Sequence, residues 1–544
     1  MKQLWFLLLA PLLSCQNSPP SSDGLVMLQP REQLIRLSID LRGVHPTEDE
    51  LVAFEQNPTT WNTWVETWLQ DPRLVDRLLE IYNQRYLTRN GQTYFNAEDA
   101  GLDGVDAQIL ADVVGEEPLA LLRYVIEHEL PYSHMVTADH TMATPLLAAF
   151  WDTDYPNDAD GWQRVQYQDG RPHAGILTMT TTWQRYPSMG GNANRHRANA
   201  VSKILLCEDY LTRPIVLNRA AVDQLTLDPE AAIADNPGCQ SCHASLDPLS
   251  ANFFGFFNYD DDMGIGQTVY RPENEQAWAD YSGKPPGFFG RPTANIQELA
   301  LEIVEDPRFA SCAVQTLVDG LTQRSTDATT DWTELQQHIL AFEHSNQNLL
   351  ALTRSIVNDP SYRVAFHADD STDSALAGLK MVSPTQLASI MEDLTGYRWT
   401  FGGRDGMTTH DLGLPVLAGG IDSDLVTTPS HNPSVGMVFI QERLAQAAAW
   451  NVANEDLATD RQDSARLLKF VNIEDTPESN PDAFEAQIRH LYLAITGVPL
   501  PPEAPEPAAL TVLWKQVYSV DASSTAAWAS VTSVVLRDPR VLLY

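Results

Sequence analysis

Apolar residues along this chain recur mostly at the three- and four-residue spacing of an amphipathic helix. After Asp71-Pro72, the residues Leu74, Val75, Leu78, Leu79, Tyr82 and Tyr86 share one helical face, so the spacing predicts a helix there. Asp before Pro is a start signal: the carboxylate can accept from free N–H groups of the first turn, and Pro at the first helical position gives up no donor the helix uses. The signal recurs at Asp306-Pro307, Asp359-Pro360 and Asp538-Pro539, and in three of the four cases Arg follows. A stop signal recurs too. Asp40-Leu41-Arg42-Gly43, Asp393-Leu394-Thr395-Gly396 and Ala494-Ile495-Thr496-Gly497 each close an apolar-periodic stretch on glycine, as a helix C-cap would. Thr47-Glu48-Asp49-Glu50 reads as a capping box that opens the next helix. The expectation is a mainly α protein built from variations on one helical module, with coincidental helix punctuation as the plain alternative.

Breaks in the pattern suggest boundaries. The periodicity weakens between Gly91 and Gly115, Asp369 to Gly378 is rich in Asp, Ser and Ala, and Pro499 to Pro507 forms a proline-rich link. The 544 residues are ample for several cores and divide into a helical N-terminal region at 29–115, a middle region at 116–369 and a helical C-terminal region at 379–544. Residues 1–14 differ in character. Lys2 precedes an apolar stretch from Leu4 to Leu13, broken only by Pro11; this suffices for the core of an export signal and is too short to span a bilayer. It ends Leu12-Leu13-Ser14-Cys15, which resembles a bacterial lipobox. That resemblance implies cleavage after Ser14 and lipidation of Cys15, the alternative being an ordinary signal peptide with an incidental cysteine. Gln16, where Asp would signal retention, implies the outer membrane. Residues 15–28, rich in Ser and Pro at their start, are then a lipidated tether. No later stretch offers about 18 uninterrupted apolar residues, so the expected membrane attachment is by lipid alone, as an outer-membrane lipoprotein facing the periplasm or the cell surface.

Charge narrows the partners. Thirty-five basic against 72 acidic residues give a formal net charge of −37, a field that repels phosphate backbones and speaks against nucleic acid. It suits a cationic redox partner or salty surroundings. No G-x-S-x-G elbow, Walker loop, H-E-x-x-H or dinucleotide glycine fingerprint occurs, so familiar hydrolase and nucleotide chemistry has no support and no catalytic residue is assigned.

The five cysteines, at 15, 207, 239, 242 and 312, are too few for a disulfide scaffold and carry separate meanings. Cys239-Gln240-Ser241-Cys242-His243 is the C-x-x-C-H attachment site of one covalent c-type haem, in which two thiols add to the porphyrin vinyl groups and the adjacent imidazole becomes the proximal iron ligand. A zinc site would need further protein ligands, and no second C-x-x-C or C-x-x-H cluster is present. A thioredoxin-like disulfide would leave His243 idle and wants a βαβ setting that the flanks do not show.

Extended to Asp247-Pro248-Leu249 and the aromatic run Phe253-Phe254-Gly255-Phe256-Phe257-Asn258-Tyr259-Asp260, the motif resembles the C-x-x-C-H-x-x-x-D-P-x-G…N-F-D signature of the planctomycete-type cytochrome c-like domain families, which are domains of unknown function. Leu37 to Thr47, Pro131 to Phe150, Gly175 to Thr178, Asn194 to Asn199 before Leu206-Cys207, and Asp306 to Cys312 resemble further stretches of these families. The resemblance covers residues 25–400 loosely and is most specific between 170 and 325. Ser250 stands where the family has Gly, and the family's Gly-Arg-Trp-Arg ending is not matched after Asp260. The resemblance implies a cytochrome c-like haem-attachment segment in the middle region.

A six-coordinate iron needs a distal ligand. The candidates are Met189, in a Pro-Ser-Met-Gly-Gly loop, then Met263 and His196, with an open site as the alternative; Met179, in an apolar segment, reads as core. The plain alternative for His196, beside Arg195 and Arg197, is that it joins ion pairs, or that those arginines hold the haem propionates. Cys207 and Cys312 are an even remainder in an oxidising compartment and are expected to form a disulfide, two buried thiols being the alternative. The functional expectation is electron transfer by a lipid-anchored c-type haem protein. A haem-dependent oxidoreductase with an open distal site, and a surface-anchored interaction protein with structural or absent haem, are the rival readings.

Overall fold

A computed structural model describes residues 24–91, 102–188, 192–214, 227, 232–233, 235–257, 270–327, 329–367, 378–458 and 464–544. The protein is mainly helical, with 22 helices among the described residues. The N-terminal region holds strand β1 (Leu25–Met27) and helices α1 (Pro30–Arg42), α2 (Glu48–Gln56), α3 (Trp61–Trp68) and α4 (Arg73–Tyr86). Next come α5 (Ala107–Gly115), α6 (Glu117–Glu127), α7 (His134–Thr137), β2 (Thr141–Ala143), α8 (Pro145–Trp151), β3 (Gln163–Val165), α9 (Thr180–Arg185), α10 (Arg195–Leu206) and α11 (Pro237–Ala251). They are followed by α12 (Trp278–Tyr281), β4 (Gly287–Phe288), β5 (Arg291–Pro292), α13 (Ile296–Glu305), α14 (Pro307–Thr322), α15 (Trp332–His344), α16 (Leu349–Asn358) and β6 (Val364–His367). The C-terminal region adds α17 (Pro384–Thr395), β7 (Thr400–Phe401), β8 (Arg404–Asp405), α18 (Leu414–Leu417), α19 (Val435–Asp456), α20 (Pro481–Thr496), α21 (Glu506–Asp521) and α22 (Ser524–Leu536). Among the described residues no helix is long and apolar enough to cross a membrane.

The helix punctuation has a direct physical basis. Gly43, Gly396 and Gly497 cap α1, α17 and α20 at φ 70°, a left-handed conformation that costs glycine little and other residues more. Thr47 and Glu50 exchange side-chain and backbone hydrogen bonds at the start of α2. At the Asp-Pro starts the arginine explains itself. Asp71 accepts from Arg73 N at 3.0 Å, Nε at 2.9 Å and Nη2 at 2.7 Å, and Asp306/Arg308 and Asp538/Arg540 repeat this clip. One carboxylate thus accepts from the free N–H and also holds a guanidinium against the turn.

Packing ties the ends of the chain together. β1 pairs antiparallel with β6, Leu25 opposite His367, and Lys380 and Tyr544 exchange both backbone hydrogen bonds at 2.9 Å. One hydrophobic core runs from Leu34 through Trp183, Phe253 and Leu317 to Leu444, Trp528 and Val541, so it draws on all three regions read from the sequence. A smaller cluster, including Leu110, Leu147, Trp151 and Val165, packs around β2 and β3. At the centre of the chain closure lies Asp40 on α1. Its buried carboxylate accepts from Lys380 Nζ, from the Tyr362 hydroxyl and, at 2.7 Å, from the Tyr544 hydroxyl. Lys380 Nζ also donates to Leu321 O at 2.9 Å. A buried charge is tolerated only when it is paired and its remaining hydrogen-bonding capacity is filled, and this cluster meets that condition with residues from three distant segments.

Candidate functional site

Helix α11 carries the C-x-x-C-H motif in its first turns. Asn236 caps it, its side chain accepting from Gly238 N at 2.9 Å, and Pro237 stands at the first helical position. Spacings of three and four residues on a helix put Cys239, Cys242 and His243 on one face. Cys239 and Cys242 are free thiols, both partly exposed, and Cys242 also packs against the main core. Leu246, Leu249 and Ser250, at the same spacings farther along that face, are buried, whereas Gln240, Ser241 and Ala244 are exposed. The helix is therefore seated by the face that carries the motif, with its partly exposed thiols at the edge of the core.

One turn beyond His243, Asp247 supplies a nearly buried carboxylate, 2% exposed. Its Oδ1 lies 3.0 Å from His243 Nδ1 and accepts from Arg195 Nε at 2.6 Å. Arg195 is the first residue of α10, which packs along α11. Burial pushes the Asp247 carboxyl up, but the hydrogen bonds from His243 and Arg195 outweigh it, so its pKa lies below the usual carboxylate value. An ionised carboxylate at Nδ1 fixes the tautomer: the proton sits on Nδ1, and Nε2 keeps the lone pair that binds a metal.

The aromatic run follows as a packed bed. Phe253, Phe254, Phe256 and Phe257 are all buried; Trp183 packs on Phe253 at 4.8 Å and on Phe256 at 6.2 Å between ring centroids. Arg197 is buried over Trp183, donates to Phe256 O at 2.7 Å and approaches Asn194 Oδ1 at 3.3 Å. Burial pushes its guanidinium down to about 9. Its partners are thus a carbonyl and an amide, whereas Arg195 holds a carboxylate.

The far end of α10 is tied as well. Cys207, its C-cap residue, forms a disulfide with Cys312 of α14, with Cα atoms 5.2 Å apart and a sequence separation of 105. His196 is exposed, its Nδ1 lying 2.8 Å from Pro187 O and its ring edge-on to Tyr186. Met179 is buried in the main core. Cys15, Met189, Met263, and Asn258 to Asp260 lie outside the described residues.

The donor set can be tested against a metal or haem. Among the described residues no three His, Cys, Asp or Glu side chains gather closely enough to hold one metal ion. Two free thiols and an imidazole on one helical face are the donor types a c-type haem uses, its vinyl groups and iron being distinct attachment points. The sequence reading placed Asp247 in the motif and Arg195 among the candidates for the haem propionates, but not the ion pair between them or the contact of Asp247 with His243. Asp247 was accessible from its position four residues after His243 on a helix, while Arg195 lies 52 residues away in sequence. No family model, no curated protein and no solved structure matches the chain, so a functional reading rests on this geometry.

Proposed function

We propose that the protein is a lipid-anchored, extracytoplasmic c-type haem protein that transfers electrons through one haem, covalently held by Cys239 and Cys242 and ligated by His243. The observation that carries this reading is the His243 ring fixed at Nδ1 by the buried Asp247 carboxylate, beside two free thiols on the same helical face. The resemblance of Cys239 to Asp260 to cytochrome c-like domains agrees with it.

The residues divide the work. Cys239 and Cys242 would hold the porphyrin as two thioethers, each made from a thiol and a vinyl group with no atom lost and no oxidant needed. His243 offers Nε2 as proximal ligand, and Asp247 holds that ring in orientation. Haem, when bound, supplies the reversible one-electron change of iron. The acidic surface favours a cationic partner, and Cys15 would keep the protein at the membrane through its lipid.

The test is expression of the full chain with c-type haem maturation machinery. Covalent haem that survives a denaturing gel, and a c-type absorption spectrum lost in a Cys239→Ala, Cys242→Ala double variant, are expected. A wild-type chain that leaves the maturation system without covalent haem refutes the proposal.

A further inference from the structure

C-x-x-C-H explains the attachment of a haem but not the state of its proximal ligand, and here the fold supplies a second pair of residues. Asp247 Oδ1 faces His243 Nδ1 at 3.0 Å and Arg195 Nε at 2.6 Å. The carboxylate is 2% exposed, and the side chains of Arg195 and His243 are 19% and 23% exposed. Water competes weakly for a carboxylate so enclosed, and the interaction is correspondingly strong. Both donors use the same oxygen. Charge that Arg195 draws toward itself is therefore unavailable to the imidazole.

We propose that Asp247 is a positioning and tuning residue for the His243 ligand: its carboxylate fixes Nε2 as the donor atom and lowers the reduction potential of an iron bound there, while Arg195 limits how far. This inference rests on the haem reading above. A carboxylate at Nδ1 makes the ring a more basic ligand, and a more basic ligand and a nearby negative charge both favour ferric over ferrous iron. Hydrogen bonding beyond the iron and local charge are recognised levers on haem potential. Arg195 is the counterweight, because it neutralises part of that charge from α10.

The two residues therefore have opposite signatures. Asp247→Asn keeps the shape and an acceptor oxygen but removes the charge, so it raises the midpoint. Arg195→Gln frees the carboxylate toward His243 and removes a positive charge, so it lowers the midpoint. A residue serving only to hold the helices together would give no such opposed pair.

The experiment is spectroelectrochemical titration of the full, haem-loaded protein and its two variants, with covalent attachment checked first on a denaturing gel. The expected result is a shift of about tenfold or more in the oxidised-to-reduced equilibrium for Asp247→Asn, about 59 mV upward for one electron. A downward shift is expected for Arg195→Gln, and Asp247→Glu should lie closer to wild type than Asp247→Asn does. Unchanged midpoints in variants that carry haem, or shifts of the same sign, overturn the tuning role. If Asp247→Asn does not fold, Arg195→Gln decides alone, an unchanged or raised midpoint overturning the inference. Absence of covalent haem from the wild type would instead strike the proposed function, so the two failures are distinct.

Discussion

Removing the Cys207–Cys312 bridge should cost much of the protein's stability. The bridge closes a loop of 105 residues, and that loop contains the whole C-x-x-C-H segment. In the chain-entropy account a loop of about 100 residues restricts the unfolded chain by roughly 4.7 kcal/mol at 25 °C. The unfolded chain without the bridge retains some structure that already restricts it, so about 2–5 kcal/mol is the expected loss. The choice of replacement matters. Cys312 is 2% exposed, and serine there would bury a hydroxyl at a further cost of about 1–3 kcal/mol if it found no partner. The Cys207→Ala, Cys312→Ala pair isolates the cross-link more cleanly. Urea unfolding of haem-free protein, followed by circular dichroism at 222 nm, should show a lower midpoint for the double variant. Its denaturant slope should be steeper, because an uncrosslinked unfolded chain exposes more surface. Alkylation of the oxidised chain after unfolding should leave Cys207 and Cys312 unlabelled while Cys239 and Cys242 react. A stability loss below about 1 kcal/mol, far under the loop-closure figure, or labelling of Cys207 and Cys312, would refute the argument.

Three further outcomes follow from buried groups and caps. Lys380→Met leaves Asp40 charged and buried without its cation, so a loss of about 3–5 kcal/mol is expected in denaturant titrations; adding Asp40→Asn should cost less than the sum of the single changes. His45 is buried with neither ring nitrogen partnered, and burial pushes it down to about 4. The folded chain thus keeps His45 neutral while the unfolded chain protonates it below about 6.5, so the unfolded state binds more protons and stability falls as pH drops from 6.5 to 4. That gap corresponds to about 3 kcal/mol, and stability measured against pH should lose this part of its slope in His45→Phe. Gly43→Ala and Gly497→Ala both force a side chain into the left-handed region, at about 1 kcal/mol. The second should cost distinctly more in thermal melts, because its Cβ would meet Ile35 Cδ1 at 2.6 Å, whereas at Gly43 the nearest atom, Arg77 Cδ, is 3.4 Å away.

What was legible in the sequence follows the range of the interactions concerned. The Asp-Pro-Arg starts, the Thr47/Glu50 box and the glycine stops are written within five residues, and local hydrogen-bonding rules suffice to read them. The mainly helical class follows from the same rules summed along the chain. Asp40 shows the limit. Read locally it is one more polar residue before a C-cap, yet its partners sit 322, 340 and 504 residues away, and no local pattern encodes such a meeting. The single core joining the three sequence regions is hidden for the same reason. At the candidate site, thiol and imidazole chemistry is declared by five consecutive residues, and Asp247 by helical spacing, but Arg195 is placed by the packing of α10 on α11.

That placement bears on how a ligand here would behave. Helix α10 is held at its first residue by the Arg195–Asp247 ion pair and at its last by the cap residue Cys207, bonded to α14. Helix α11 is held by its buried side and by the same carboxylate. His243 therefore hangs from a helix tied by the Arg195–Asp247 ion pair to α10, whose other end is bonded to α14. A surface ion pair contributes little rigidity, because solvent screens it and side-chain entropy opposes it; Asp247 is buried, and its two donors reach it from separate helices. A ligand so mounted keeps its ring orientation when the charge on a bound metal changes. Preorganisation of that kind favours electron transfer, since little of the surroundings must rearrange, and it gives Asp247 a constant geometry from which to act on Nε2.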